Sequence, residues 1–218
     1  SQYASDLNID TPRVMLGGDT RESSEWILRD FERAFDVLGI EYGNVGVLPT
    51  PGINYAFYKM GFDFAVDITA SHNPYTDNGI KIFERGEKSG VKLSLAGVAA
   101  IENSLDDIKA VELSGGEYHA KLHEDALEAY STHLEGYTRD IRPADAPDTT
   151  CDLAGLKIGL DCANGATSVV APTIFEHLGA EVTVINSSDE YSDKINRDAG
   201  STHIEGLISL VREKNLDF

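Results

Sequence analysis

The chain has 218 residues, 41% of them hydrophobic, and a formal charge of −19 from 18 basic and 37 acidic side chains. That length suits about one to two domains with a real core, and so acidic a composition excludes a general nucleic-acid binder, since phosphate backbones attract basic surfaces. No apolar run is long enough for a membrane span, Cys151 and Cys162 are too few for a disulfide framework, and no signal peptide opens the chain, so a cytoplasmic protein is expected.

Arg13 to Gly17 reads as the first strand. A helix follows, with Asp19 or Thr20 as its cap, Ile27, Leu28, Phe31, Phe35 and Leu38 as its apolar face, and Gly39 as its end. Trp26 and the phenylalanines at helical spacing are expected in the core. Val45 to Leu48 is the next strand, and Thr50 with Pro51 starts a short helix that Gly61 closes. From Phe62 to Ala70 the run is apolar, with Phe62, Phe64, Val66 and Ile68 at period two, the pattern of a sheet strand. Gly79 to Phe83 is a returning strand, Glu84 to Lys92 a surface hairpin or loop, and Ser94 opens a helix through about Ser104.

Asp106 to Tyr118 is mixed and reads as irregular, whereas Glu124 to Ile141 predicts a helix with Leu127, Tyr130, Leu134 and Tyr137 on one stripe. Arg142 to Asp152, with Pro143 and Pro147, has linker composition. Beyond it come a strand from Leu156 to Leu160, a helix from Thr167 to Leu178, a strand from Glu181 to Ile185 and a helix from Thr202 to Lys214, where Thr202 and Glu205 form a capping-box signature. The alternation predicts an α/β protein with mixed open sheets flanked by helices: a first unit over 1–142, a linker over 143–152 and a second α/β unit over 153–218. Arg13 to Asp19 parallels Lys157 to Asp161, each strand ending in an aspartate, which suggests a repeat of structure rather than of sequence.

Thr69-Ala70-Ser71-His72-Asn73-Pro74, followed by Asp77-Asn78-Gly79-Ile80-Lys81, is the segment with most chemistry. Ser71 sits where a strand ends, and in open α/β sheets ligands bind beyond the carboxyl ends of the strands. His72 and Asn73 offer donors, Pro74 fixes the backbone, and Asn78-Gly79 allows a reversal that brings Lys81 back toward Ser71. A phosphate suits that setting, because a phosphoserine carries about −1.5 to −2 charges and three acceptor oxygens. A hydrolase serine fits less well, for Thr69-x-Ser71-x-Asn73 lacks the flanking glycines of a nucleophile elbow. The same residues also satisfy an ordinary exposed turn.

Other candidates are fewer. Arg21 reads as an active-site cation or a helix-surface residue. Asp161 to Ala166 reads as an anion-binding turn or, preferably, as the tight turn joining strand to helix. His119, His123 and Glu124 have metal-like spacing without a clear third ligand and read as solvated surface residues. The sequon Asn186-Ser187-Ser188 is set aside, because it needs a secretory setting.

The Ser71 segment with Asn78-Gly79-Ile80-Lys81 resembles the phosphoserine loop of the α-D-phosphohexomutases, and the likeness is extended by Gly18-Asp19-Thr20-Arg21 and Pro49-Thr50-Pro51. Asp161-Cys162-Ala163-Asn164-Gly165-Ala166 and Gly200-Ser201-Thr202-His203 look most like the family's phosphoglucosamine mutase branch, although Ile204 stands where proline is usual. The resemblance implies a phosphoserine at Ser71 that passes its phosphoryl group to a hexosamine or hexose phosphate through a bisphosphorylated sugar. It also implies Lys81 as general acid or base, Arg21, His72 and Asn73 as phosphate-binding residues, and a Mg²⁺ ion held in part by the Ser71 phosphate.

Set beside the family, the chain lacks its opening strand, its metal-binding aspartate loop and its sugar-reading loop. It therefore reads as a front portion: a nearly complete first domain and a truncated second, inactive alone. A homodimer through the cut sheet is a further expectation. A phosphoglucomutase or phosphomannomutase, and a non-catalytic phosphosugar-binding module, are the alternatives.

Overall fold

A computed structural model describes Ala4, residues 9–104, His123, and residues 125–140 and 153–218. Five strands form the first sheet: β1 (Arg13–Gly18), β2 (Glu41–Val47), β3 (Phe64–Ile68), β4 (Ile80–Arg85) and β5 (Gly90–Lys92), in the order β2-β1-β3-β4-β5. β1 runs parallel to both β2 and β3, while β4 and β5 are antiparallel additions, so the sheet is mixed. The helices are α1 (Glu22–Leu38), α2 (Thr50–Lys59), α3 (Leu95–Ser104) and α4 (Asp125–Asp140). The second unit pairs β6 (Lys157–Asp161) with β7 (Glu181–Ile185) in parallel and adds α5 (Ala171–His177) and α6 (Glu205–Lys214).

Strand alternation sorts the core into two layers. Val14, Leu16, Phe64, Val66 and Ile68 pack with Leu28 of α1 on one face of the sheet. Met15, Ala65 and Phe83 pack with Ile53 and Phe57 of α2 and Tyr130 of α4 on the other. Val170 and Ile174 belong to that second layer, so the two units share apolar core. Backbone bonds join them as well: Ser192 N–H donates to the Thr20 carbonyl (2.8 Å), and Glu22 N–H to the Ser192 carbonyl (3.2 Å).

Local signals place most boundaries. Gly39, at φ 67°, ends α1 in the left-handed conformation, which glycine adopts at no steric cost. Ser94 Oγ accepts from the Gly97 N–H (3.1 Å) at the start of α3. β2 begins at Glu41, four residues before the apolar pattern does, because pairing of Arg13 with Glu41 carries the ladder through polar residues. The polar stretch after β4 closes as a hairpin with β5.

Several expectations change. Trp26 is 55% exposed and Leu38 59%, because the buried stripe of α1 is Ser24, Leu28 and Glu32, with Asn44 donating to Glu32 (3.0 Å). On α4 only Tyr130 and Leu134 of the expected stripe reach the core, and Tyr137 is exposed. The helix expected from Thr167 is split into a 3₁₀ turn (Ala166–Val169) and α5, since Pro172 inside one continuous helix would lack its N–H and clash with the preceding turn.

The capping box is not formed. α6 starts at Glu205 with Ile204 before it and no side-chain cap, while Thr202 belongs to a separate 3₁₀ turn, so the two are one turn out of phase. The irregular stretch 106–118, the linker 143–152, Cys151, His119 and Glu124 lie outside the described residues.

Candidate functional site

β1 and β3 lie side by side, yet the chain leaves β1 for β2 on one side and returns from β2 to β3 on the other. This reversal of winding opens a crevice beyond their carboxyl ends, where Gly18 and Ile68 are paired. Asp19 to Arg21 leave β1 there, and Thr69 to Ser71 leave β3.

The loop after β3 closes on itself. Thr69 N–H donates to the Gly79 carbonyl (3.0 Å), Asn73 N–H to Ala70 (3.1 Å) and Asp77 N–H to Pro74 (3.0 Å). Ser71 N–H donates to Thr69 Oγ1 (3.1 Å), and Ser71 has φ 56°. A non-glycine residue in the left-handed region costs on the order of 1–3 kcal/mol and persists only where its surroundings hold it. Those surroundings are visible here.

Arg21 is wholly buried beneath the loop. Its Nε donates to Asp19 Oδ2 (3.0 Å), Nη1 to the Asp77 carbonyl (3.0 Å) and to the Pro74 carbonyl, and Nη2 to the Ser71 and Asn73 carbonyls (3.0 Å each). A guanidinium has five N–H donors, and five acceptors meet them. Arg21 therefore offers the cavity no free donor. Its visible task is to hold the loop, and it lies buried against Asp19 rather than open to the cavity as a phosphate-binding cation would be.

From the second unit, Asn196 Nδ2 donates to the same Ser71 (2.8 Å) and Asn73 (3.1 Å) carbonyls from above. Nothing in the sequence marks it beyond an asparagine just ahead of the Gly200-Ser201 turn. His72 is exposed, with Nδ1 3.4 Å from Ser201 Oγ, so it faces the seam between units. The exposed Asn73 side chain donates to Asp77 of the same loop (3.2 Å).

Between the units lies a cavity of about 260 Å³ that Ser71 and His72 line with Thr50, Asp67, Cys162 and Ser201. Asp161 to Ala166 both makes the tight turn and lines this cavity, with Ala163 (φ 51°) and Asn164 (φ 50°) left-handed. The two strand-end aspartates do the same work: Asp19 Oδ1 accepts from the Arg21 N–H (3.1 Å), and Asp161 Oδ1 from the Ala163 N–H (2.9 Å). Cys162 is buried beside them, and that burial pushes its thiol up.

Residues 2–112 match the family described as phosphoglucomutase/phosphomannomutase, alpha/beta/alpha domain I. The chain belongs to this family. A phosphoglucosamine mutase of Deinococcus deserti is 39% identical over 208 residues, covering 94% of the chain and 43% of that relative. One of Acetivibrio thermocellus is 38% identical, covering 95% of the chain and 43% of the relative. The chain thus spans less than half the length of these curated relatives. A phosphoglucomutase/phosphomannomutase family protein of Burkholderia thailandensis shares the fold at TM-score 0.66 and 19% identity, over 98% of this chain and 45% of its own.

In this phosphohexomutase fold the loop's expected base lies on β4. Lys81 pairs with Asp67 across the β3–β4 ladder, so its ammonium rises from the sheet rather than from the loop. It donates to Thr50 Oγ1 (3.3 Å) at the start of α2 and lies 3.8 Å from Asp67 Oδ2, which accepts from Thr50 Oγ1 at 2.6 Å. Asp67 is 1% exposed, and burial raises its carboxyl to about 6, against the Thr50 hydrogen bond and the Lys81 ammonium, which lower it. Its Oδ1 finds no hydrogen-bond partner.

His123 packs its ring edge-on to Phe62 (5.6 Å) and lies 3.8 Å from Asp125, so it is more buried than a solvated surface histidine. Among the described residues no three His, Cys, Asp or Glu converge as a metal site.

Proposed function

We propose that the chain carries the phosphoserine part of a phosphoglucosamine mutase, with Ser71 as phosphoryl carrier between glucosamine 6-phosphate and glucosamine 1-phosphate. The observation that carries this reading is the Ser71 backbone: left-handed, gripped at its carbonyl by Arg21 and Asn196, and open on the cavity between the units. A serine kept in a costly conformation at the switch point of a sheet is placed for chemistry. The relatives of 38–39% identity named phosphoglucosamine mutase support the choice of substrate.

In the reaction, phospho-Ser71 gives its phosphoryl group to a sugar hydroxyl, and the resulting bisphosphorylated sugar returns the other one to the serine. Lys81, an ammonium at rest, gives a proton to the departing Ser71 oxygen as general acid and takes the sugar hydroxyl proton as general base, so the transfer leaves it protonated as it began. His72 binds the phosphate, while Arg21 acts on the reaction only through the loop it holds.

Mg²⁺ would neutralise charge on the transferring group. The described residues offer it the Ser71 phosphate but no converging carboxylates, so they do not by themselves make its site and no step is derived through it. For the same reason the isolated chain is expected to show no turnover. Among the described residues no helix is long and apolar enough to cross a membrane.

The test is to isolate the full-length protein that carries this chain and map phosphate by peptide mass before and after incubation with hexosamine phosphate. Phosphate is expected on Ser71 and lost from the Ser71→Ala variant together with turnover. Wild-type activity in that variant would reject the reading.

A further inference from the structure

We propose that Asp67 is a positioning residue for phosphoryl transfer at Ser71, holding the Lys81 ammonium against the cavity-lining Thr50 hydroxyl. The inference rests on the phosphoserine reading above and adds a residue to it.

The geometry is a directed chain. Lys81 Nζ donates to Thr50 Oγ1 (3.3 Å), and Thr50 donates its own proton to Asp67 Oδ2 (2.6 Å). An ammonium has only donors and a carboxylate only acceptors, so the hydroxyl between them has one consistent orientation. Thr50 and Asp67 line the same cavity as Ser71. The side chain of Lys81 is 30% exposed, and its ammonium rests against Thr50, which lines that cavity.

Asp67 is also out of place on packing grounds. It is the one charged residue of β3 (Phe64–Ile68), whose five positions are all buried. Burying a carboxylate is unfavourable unless it is paired and hydrogen-bonded, and here Oδ1 lacks a partner. Groups of this kind concentrate where function needs them. The charged groups facing it are Asp19 at the end of β1, which disfavours its ionisation, and Lys81 on β4, which favours it; α2 presents the Thr50 hydroxyl. A titration of Asp67 would therefore alter the hold on Lys81 directly.

A merely structural ion pair would cross-link β3 and β4 without touching the reaction, so the readouts must separate the two roles. In the full-length protein, Asp67→Asn is expected to lower kcat about tenfold with KM unchanged, and to remove an acid limb of the rate profile near the carboxyl's value of about 6. Thr50→Val, which cuts the chain while leaving both charges, is expected to move kcat the same way and serves if Asp67→Asn does not fold. A readout independent of turnover is the ¹³C-carboxyl titration of Asp67, whose midpoint is expected to rise in both Lys81→Met and Thr50→Val.

Ser71-dependent turnover with an unchanged kcat and acid limb in Asp67→Asn overturns this inference alone. A carboxyl midpoint unmoved in both Lys81→Met and Thr50→Val also overturns it. Turnover that survives Ser71→Ala overturns the phosphoserine reading, and the inference falls with it.

Discussion

Ser71 and Asp67 represent two ways in which a single residue can be held against its own preference. Ser71 is in the left-handed region at φ 56°, and alanine there would inherit the same strain while losing the bond-forming oxygen. Ser71→Ala is accordingly expected to abolish phosphoenzyme formation in the full-length protein while shifting thermal stability by no more than about 1 kcal/mol, because an exposed side chain contributes little packing. Intact mass and a melting curve check both parts.

Asp67 makes a pH prediction. Its carboxyl is raised from 3.8 to about 6 in the folded protein. The folded state therefore keeps the proton longer than the unfolded state does. The stability linked to that proton is fully present below about 4, is lost as pH rises through about 6, and is absent above. Unfolding in urea at pH 4 and pH 8 is expected to show the Asp67→Asn variant gaining on wild type by up to about 3 kcal/mol between the two conditions.

At the scale of elements, the loop from Ser71 to Asp77 is shaped less by its own turn residues than by two clamps. Arg21 reaches it from the start of α1, and Asn196 from the segment after β7. Asn196 is accessible to solvent, and each of its two bonds contributes about 1 kcal/mol at most. Asn196→Ala is expected to leave global stability within about 1–2 kcal/mol of wild type. Amide exchange at Ser71 to Asp77 should nonetheless quicken, and phosphoryl transfer should fall about tenfold, because a misplaced reacting group costs rate more than stability.

Arg21→Lys is the harsher change. A lysine cannot present five donors in a fixed fork, so several loop carbonyls lose their partner while one charge stays buried beside Asp19. Denaturation is expected to show a loss of about 3 kcal/mol or more, the range for damaging a buried pair.

Over the whole molecule the two units differ in how well their backbone is covered. β3 is central in a five-stranded sheet and buried at every position. The sheet of β6 and β7 has two strands, extended by hydrogen bonds that join Lys157 and Gly159 to Asp217 and Phe218, and α6 buries no residue fully. Exchange mass spectrometry is expected to find Lys157 to Ile185 and Glu205 to Lys214 opening faster than Phe64 to Ile68. Equal protection would show that Val170 and Ile174, which sit in the first unit's core, bind the whole chain into one cooperative body. The outer edge of β7 has no partner strand among the described residues, which motivates looking for a dimer at high concentration by sedimentation.

Much of this architecture follows from local rules that a linear sequence states openly. The period-two run before Ser71, the glycine after Leu38 and the proline at the start of α2 each act within a few residues, so the elements and the candidate nucleophile were legible; the reversal expected at Asn78-Gly79 is made instead by turns at Ser71-His72 and Tyr75-Thr76. What lay outside that range was not. Whether Arg21 meets a ligand or five protein acceptors depends on where a loop 50 or more residues away comes to rest. Trp26 and Leu38 looked like core because periodicity cannot tell which face of a helix meets a sheet. The role of Asp67 emerges only when β4 sets Lys81 opposite it and α2 brings Thr50 between. Sequence by itself determined the family, the α/β alternation and the phosphoserine candidate; tertiary structure decided which charges are already engaged, because a charge acquires its partners only when distant segments are brought within hydrogen-bonding reach.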